Sequence, residues 1–144
     1  MKTTTTDGEK RLQTVLERIG PDFVEQGARR VTRADLDDVV AKRAKVDQQL
    51  ETRGALERYE RPIRQMTDLL VDYRSGAYTG APYWAIAIAV FTVQYVIKPI
   101  DIIPDMLPVV GQLDDAMVVS HASAMLGSEL HAYGVWKTAV GVAG

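Results

Sequence analysis

From Ser75 to Ile97 the chain runs 23 residues without a formal charge. Such a run must be covered, by lipid or by the rest of the chain, because leaving it in water forfeits the largest favourable term in folding. Residues 1–74 are the opposite: they hold 15 Lys/Arg and 14 Asp/Glu, whereas residues 75–144 hold only Lys98, Lys137, Asp101, Asp105, Asp114, Asp115 and Glu129. A charged helical region (1–74) is therefore expected to meet an apolar one (75–144) at the turn-forming run Ser75-Gly76-Ala77-Tyr78-Thr79-Gly80-Ala81-Pro82.

The charged half punctuates itself as helices. Thr6 and Glu9 make a capping-box pattern before Leu12, Val15, Leu16 and Ile19, and Gly20-Pro21 stops that helix. A short segment around Phe23-Val24 follows. Thr32, with Asp35 three residues on, caps a helix carrying Leu36, Val39, Val40, Val46 and Leu50 that ends near Gly54. Leu56, Tyr59, Ile63, Met66, Leu70 and Tyr73 form a narrow apolar seam at helical spacing, suited to a bundle or to self-association. Pro62 kinks this helix or marks its true start. No useful strand-like alternation occurs, so the fold is expected to be all-α, a helical bundle.

In the apolar half, Pro82 opens a helix whose continuous part is Tyr83–Ile97. At ~1.5 Å per residue it covers about 22 Å, short of the ~30 Å hydrocarbon core of a bilayer. A second apolar helix is expected from about Asp114 to Trp136. The short connection favours antiparallel pairing, which would bring Tyr83, Trp84, Tyr133, Trp136 and Lys137 to one end beside Arg74. Amphipathic rings with a flanking base suit a membrane–water interface. The competing reading is that the tryptophans cap the core of a soluble bundle.

The hairpin tip carries Asp101-Ile102-Ile103-Pro104 followed by Asp105-Met106-Leu107-Pro108. Each unit can be a single turn capped by its own aspartate and stiffened by proline. On this reading Pro99, Pro104, Pro108 and Gly111 shape the turn, Gly111 as a bend, and Asp114-Asp115 sit at the positive end of the next helix. The alternative is a hard cation such as Mg²⁺ or Ca²⁺ held by Asp101, Asp105, Asp114 and Asp115 with His121, although the spacing fits no EF-hand loop.

Several functions are excluded or disfavoured. With no cysteine there are no disulfides, thiolate nucleophiles or Cys-ligated metals. Ser120, Ser123 and Ser128 lack a base and its orienting partner, so no catalytic residue is identified and a non-enzymatic role is favoured. Arg29, Arg30 and Arg33, and Lys42, Arg43 and Lys45, interleave with Asp35, Asp37, Asp38 and Asp47, as on a solvated helix face, and no nucleic-acid partner is expected. The start, Met1-Lys2-Thr3-Thr4-Thr5-Thr6, has no apolar signal core, so the N-terminal half is expected in the cytoplasm.

Residues 95–115, with Pro99-Ile100-Asp101-Ile102-Ile103-Pro104-Asp105, then Pro108, Gly111 and Asp114-Asp115, resemble the signature of the YkvA-like domain of unknown function. The resemblance covers about residues 64–126. It implies a small helical protein associated with a membrane, and it carries over no activity, substrate or catalytic residue. Lys98 departs from the Ser or Asn common at that place and offers Asp101 a counter-ion. Taken together, the expectation is a helical interaction or scaffold module at the cytoplasmic face of, or embedded in, the inner membrane, with a membrane or membrane protein as partner. A cation-binding sensor or hydrolase, and a soluble helical interaction protein, are the alternatives.

Overall fold

Thr32 and Asp35 close the capping box that their spacing predicts. The Thr32 amide donates to Asp35 Oδ2 at 2.8 Å and the Asp35 amide donates to Thr32 Oγ1 at 3.3 Å. Thr32→Ala should cost about 1 kcal/mol, the usual loss for an N-cap hydroxyl, read as a lower midpoint in urea unfolding.

In the computed structural model, which describes residues 21–98 and 108–143, the helices are α1 (Pro21–Arg29), α2 (Arg33–Ala41), α3 (Arg43–Thr52), α4 (Glu60–Ser75), α5 (Tyr83–Ile97), α6 (Pro108–Met125) and α7 (Gly127–Ala143), with a 3₁₀ turn over Gly54–Tyr59. No strand occurs among the described residues, and the architecture is an all-α bundle. The first capped helix of the sequence reading, over Leu12 to Ile19, lies outside the described residues.

Several boundaries differ from expectation for local reasons. The short segment expected around Phe23-Val24 is a helix opened by Pro21, since proline at a first helical position sacrifices only an amide without a helical partner. The single helix expected from Thr32 to Gly54 is two, broken at Lys42, whose amide is shared between the carbonyls of Asp38 and Val39. Pro62 does mark a start: the preceding residues are 3₁₀, and the α-helix begins at Glu60. The helix expected over Asp114–Trp136 begins earlier, at Pro108, and is interrupted at Leu126 ahead of Gly127. Gly111 therefore lies inside a helix and not at a bend. Asp114 and Asp115 fall well past the first turn of α6, which contains no acidic residue.

α5 has the boundaries that hydropathy gave it, and it forms the centre of the molecule. Ala85 to Val93, Tyr95 and Val96 are all buried, because α5 packs against α1, α2, α3, α4 and α6. The Thr92 hydroxyl, buried within α5, donates to the Ile88 carbonyl of the same helix at 2.7 Å. Near its C-terminal end, Arg53 Nη1 donates to the Val96 carbonyl at 3.0 Å.

The cover over α5 is built from the charged half. α1 lays Phe23, Val24 and Ala28 on it, and Phe23 meets Phe91 and Tyr95 edge-on, with ring centroids 5.7 and 6.0 Å apart. Gly27 is required here: a Cβ on it would stand 2.2 Å from Phe91 Cε1. The seam residues Leu56, Ile63, Met66 and Leu70 are fully buried in the same core. Intramolecular packing thus occupies the seam that could have served self-association. Both sides of the boundary at 74/75 contribute to one continuous core.

Candidate functional site

The aromatic end is organised by the exit from α4. Gly76 adopts φ 83°, the left-handed region where a side chain would be strained, and the chain reverses there. The Tyr78 amide returns to the Asp72 carbonyl at 3.1 Å. The Tyr78 ring, itself buried, packs with its centroid 5.1 Å from that of Tyr133 and 4.9 Å from that of Trp136.

Below these rings Asp72 clamps α7 to α4. Its Oδ2 accepts the Tyr133 hydroxyl and Lys137 Nζ, the latter at 2.8 Å. Burial pushes the Asp72 carboxyl up, but the hydrogen bonds from Lys137 and Tyr133 outweigh it and hold the group below the ordinary carboxylate range. Burial and the neighbouring Asp72 carboxylate push the Tyr133 phenol far up. The hydrogen bond to Asp72 holds Lys137 in its charged form to higher pH.

The five residues expected to share one interface are therefore divided. Tyr133 is a core residue, 2% exposed. Trp136 is half-buried on Tyr78, and Lys137 is paired to Asp72. Tyr83 and Trp84 do face outward, 60% and 51% exposed. The Tyr83 hydroxyl donates to the Val31 carbonyl at 3.2 Å, steadying the start of α5. Arg74 pairs with Asp37 of α2, at 2.7 Å.

The structure adds an apolar surface that the sequence reading missed. The side of α7 turned away from Leu130 and Tyr133 presents Ala132, Val135 and Ala139, all exposed. These positions follow a helical 3–4 spacing, so they form one outward stripe. A surface helix in water ordinarily turns charge outward, as α3 does with Arg43, Lys45 and Asp47 and α4 with Arg61, Arg64 and Asp68. α7 was legible as apolar, but which of its faces is spare depends on where Asp72 anchors it, and that pairing spans 65 residues.

Of the tip residues, Pro99, Asp101, Pro104 and Asp105 lie outside the described residues, as do the side chains of Pro108, Asp114 and Asp115. His121 is half-buried on α6. Among the described residues no three His, Asp or Glu side chains come together to hold a metal ion.

Comparison with known proteins places this architecture. The family model described as protein of unknown function DUF1232 matches residues 85–120, which take in most of α5 and the first part of α6. Over 75 residues the chain is 30% identical to the uncharacterized membrane protein YkvA of Bacillus subtilis (strain 168), covering 52% of this chain and 71% of that protein. No solved structure matches. α1 to α3 lie outside the match to the family model.

Proposed function

The chain belongs to the YkvA-like family of unknown function, and from that premise we propose that it is a non-enzymatic helical module that lies on a membrane surface. In this reading the outer stripe of α7, Ala132, Val135 and Ala139, sinks into the boundary between headgroups and acyl chains. Tyr83 and Trp84 seat at the same level, and the charged faces of α2 and α3 stay on the aqueous side.

One observation carries the reading: α7 is a surface helix that turns an apolar stripe outward, and only four residues of chain separate Tyr78, packed on α7, from the exposed Tyr83. The name of the Bacillus relative supports a membrane setting. Lying on the membrane fits better than crossing it, because no helix of the described residues is long and apolar enough to span, and α5 is already covered by this chain's own helices.

Co-sedimentation with phosphatidylcholine vesicles tests the proposal. Wild type should partition to the pellet, and Val135→Asp should lower the partition coefficient about tenfold, the worth of burying one valine side chain. Recovery of wild type wholly in the supernatant, or equal partition of both proteins, would refute it. Because Val135 is 58% exposed, its replacement should leave the melting temperature nearly unchanged, which separates lost binding from lost folding.

A further inference from the structure

A groove of about 640 Å³ runs between α4 and α7, with Arg61, Asp68, His131, Val135, Lys137 and Ala139 among its lining residues. Its volume is within the range of small-ligand sites. Lys137 is committed to Asp72. Arg61 and Asp68 are not committed: among the described residues neither makes a hydrogen bond or ion pair. They stand seven positions apart on α4, about two helical turns, and line the same groove. Burial raises the Asp68 carboxyl above its ordinary range, even though the Lys137 and Arg64 charges nearby draw it down.

The balance of charge selects the ligand class. Asp72, just outside the groove, neutralises Lys137, so the groove presents Arg61 as one spare cation and Asp68 as one spare anion. A purely anionic ligand would leave Asp68 facing a like charge, and a purely cationic one would do the same to Arg61. A zwitterion satisfies both. The wall formed by Val135 and Ala139 continues directly into the exposed apolar stripe of α7, so the ligand should be polar at one end and apolar at the other. A primary ammonium can donate hydrogen bonds to the Asp68 carboxylate, which a quaternary ammonium cannot.

We infer that the groove between α4 and α7 seats the phosphoethanolamine headgroup of a membrane lipid, its phosphate toward Arg61, its ammonium toward Asp68 and its acyl chains along Val135 and Ala139. The inference rests on the membrane-surface reading above, and it names which lipid that surface prefers.

Full-length protein is mixed with vesicles of phosphatidylcholine alone, or with part of it replaced by phosphatidylethanolamine or by phosphatidylglycerol. Phosphatidylethanolamine should raise the bound fraction about three- to tenfold over phosphatidylcholine, the range expected of one or two charge-assisted hydrogen bonds at a half-exposed site. Arg61→Gln and Asp68→Asn should each remove that increment and leave the phosphatidylcholine baseline intact. Equal binding to all compositions would overturn the headgroup assignment while leaving membrane association standing. A larger increment with phosphatidylglycerol would overturn it in favour of plain anion attraction. If no vesicle binds, the membrane reading itself fails. The groove is then tested alone with dihexanoyl phosphatidylethanolamine below its micelle concentration, which should raise the melting temperature of wild type but of neither variant. No rise would end the proposal.

Discussion

Replacing Phe91 by alanine should cost about 3–5 kcal/mol, the upper range for large-to-small core substitutions. Phe91 is 7% exposed, and its ring contacts Phe23 and Tyr95 and covers Gly27. The informative experiment is the cycle with Gly27. In the wild-type background Gly27→Ala puts a methyl 2.2–2.5 Å from three atoms of the Phe91 ring, so it should destabilise by about 1–3 kcal/mol despite the better helix propensity of alanine. Once Phe91 is alanine the obstruction is gone, and the same Gly27→Ala should be neutral or stabilising by up to about 1 kcal/mol. Denaturant unfolding of the four proteins reads the coupling. Additive effects would mean that α1 does not lie on α5 in solution.

The second large effect is expected at the clamp. Asp72→Ala removes both hydrogen bonds at once and leaves the Tyr133 hydroxyl without its partner in a site that is 2% exposed. The expected cost is about 2–3 kcal/mol, mostly the desolvation of that orphaned hydroxyl, since an ion pair to an exposed lysine contributes little. Tyr133→Phe takes away the hydroxyl together with the need for a partner and should cost closer to 1 kcal/mol. The order of the two variants is the test: Tyr133→Phe at least as damaging as Asp72→Ala would contradict the clamp.

The same clamp fixes a sign for pH. The Asp72 carboxyl is held below its usual range in the folded protein, so the unfolded chain binds its proton first as pH falls. The stability it contributes is complete above the unfolded carboxyl pKa of about 4 and is lost as pH falls through the lower folded value. Wild type should therefore lose more stability on acidification than Asp72→Asn does.

The fold was legible where one residue settles its own surroundings. Thr32 with Asp35 located a helix start because the two groups satisfy each other. α5 was bounded correctly because Pro82 precedes it and Lys98 ends its apolar run. The break at Lys42 was not legible, since it replaces only one turn of an otherwise continuous pattern. Nor was the break at Leu126, an apolar residue between apolar neighbours.

The candidate site was legible in part for a similar reason. Exposed Tyr83 and Trp84 were identified because they stand at the head of a helix beyond the apolar run's cover. Tyr133 looked equivalent to them in sequence, yet a carboxylate 61 residues away draws its hydroxyl inward. That long-range contact rotates α7 so that Val135 and Ala139, unremarkable in the sequence, face outward.

The central claim is that the outer face of α7, and not the charged faces of α2 and α3, meets lipid. Because the chain contains no cysteine, a single fluorophore can be placed at Val135→Cys or at Lys45→Cys without competing labels. Both positions are exposed, one on α7 and one on α3. With vesicles carrying nitroxide-labelled phospholipid, the dye at position 135 should be strongly quenched and the dye at position 45 left bright. Equal quenching at both, or quenching at 45 alone, would contradict the account.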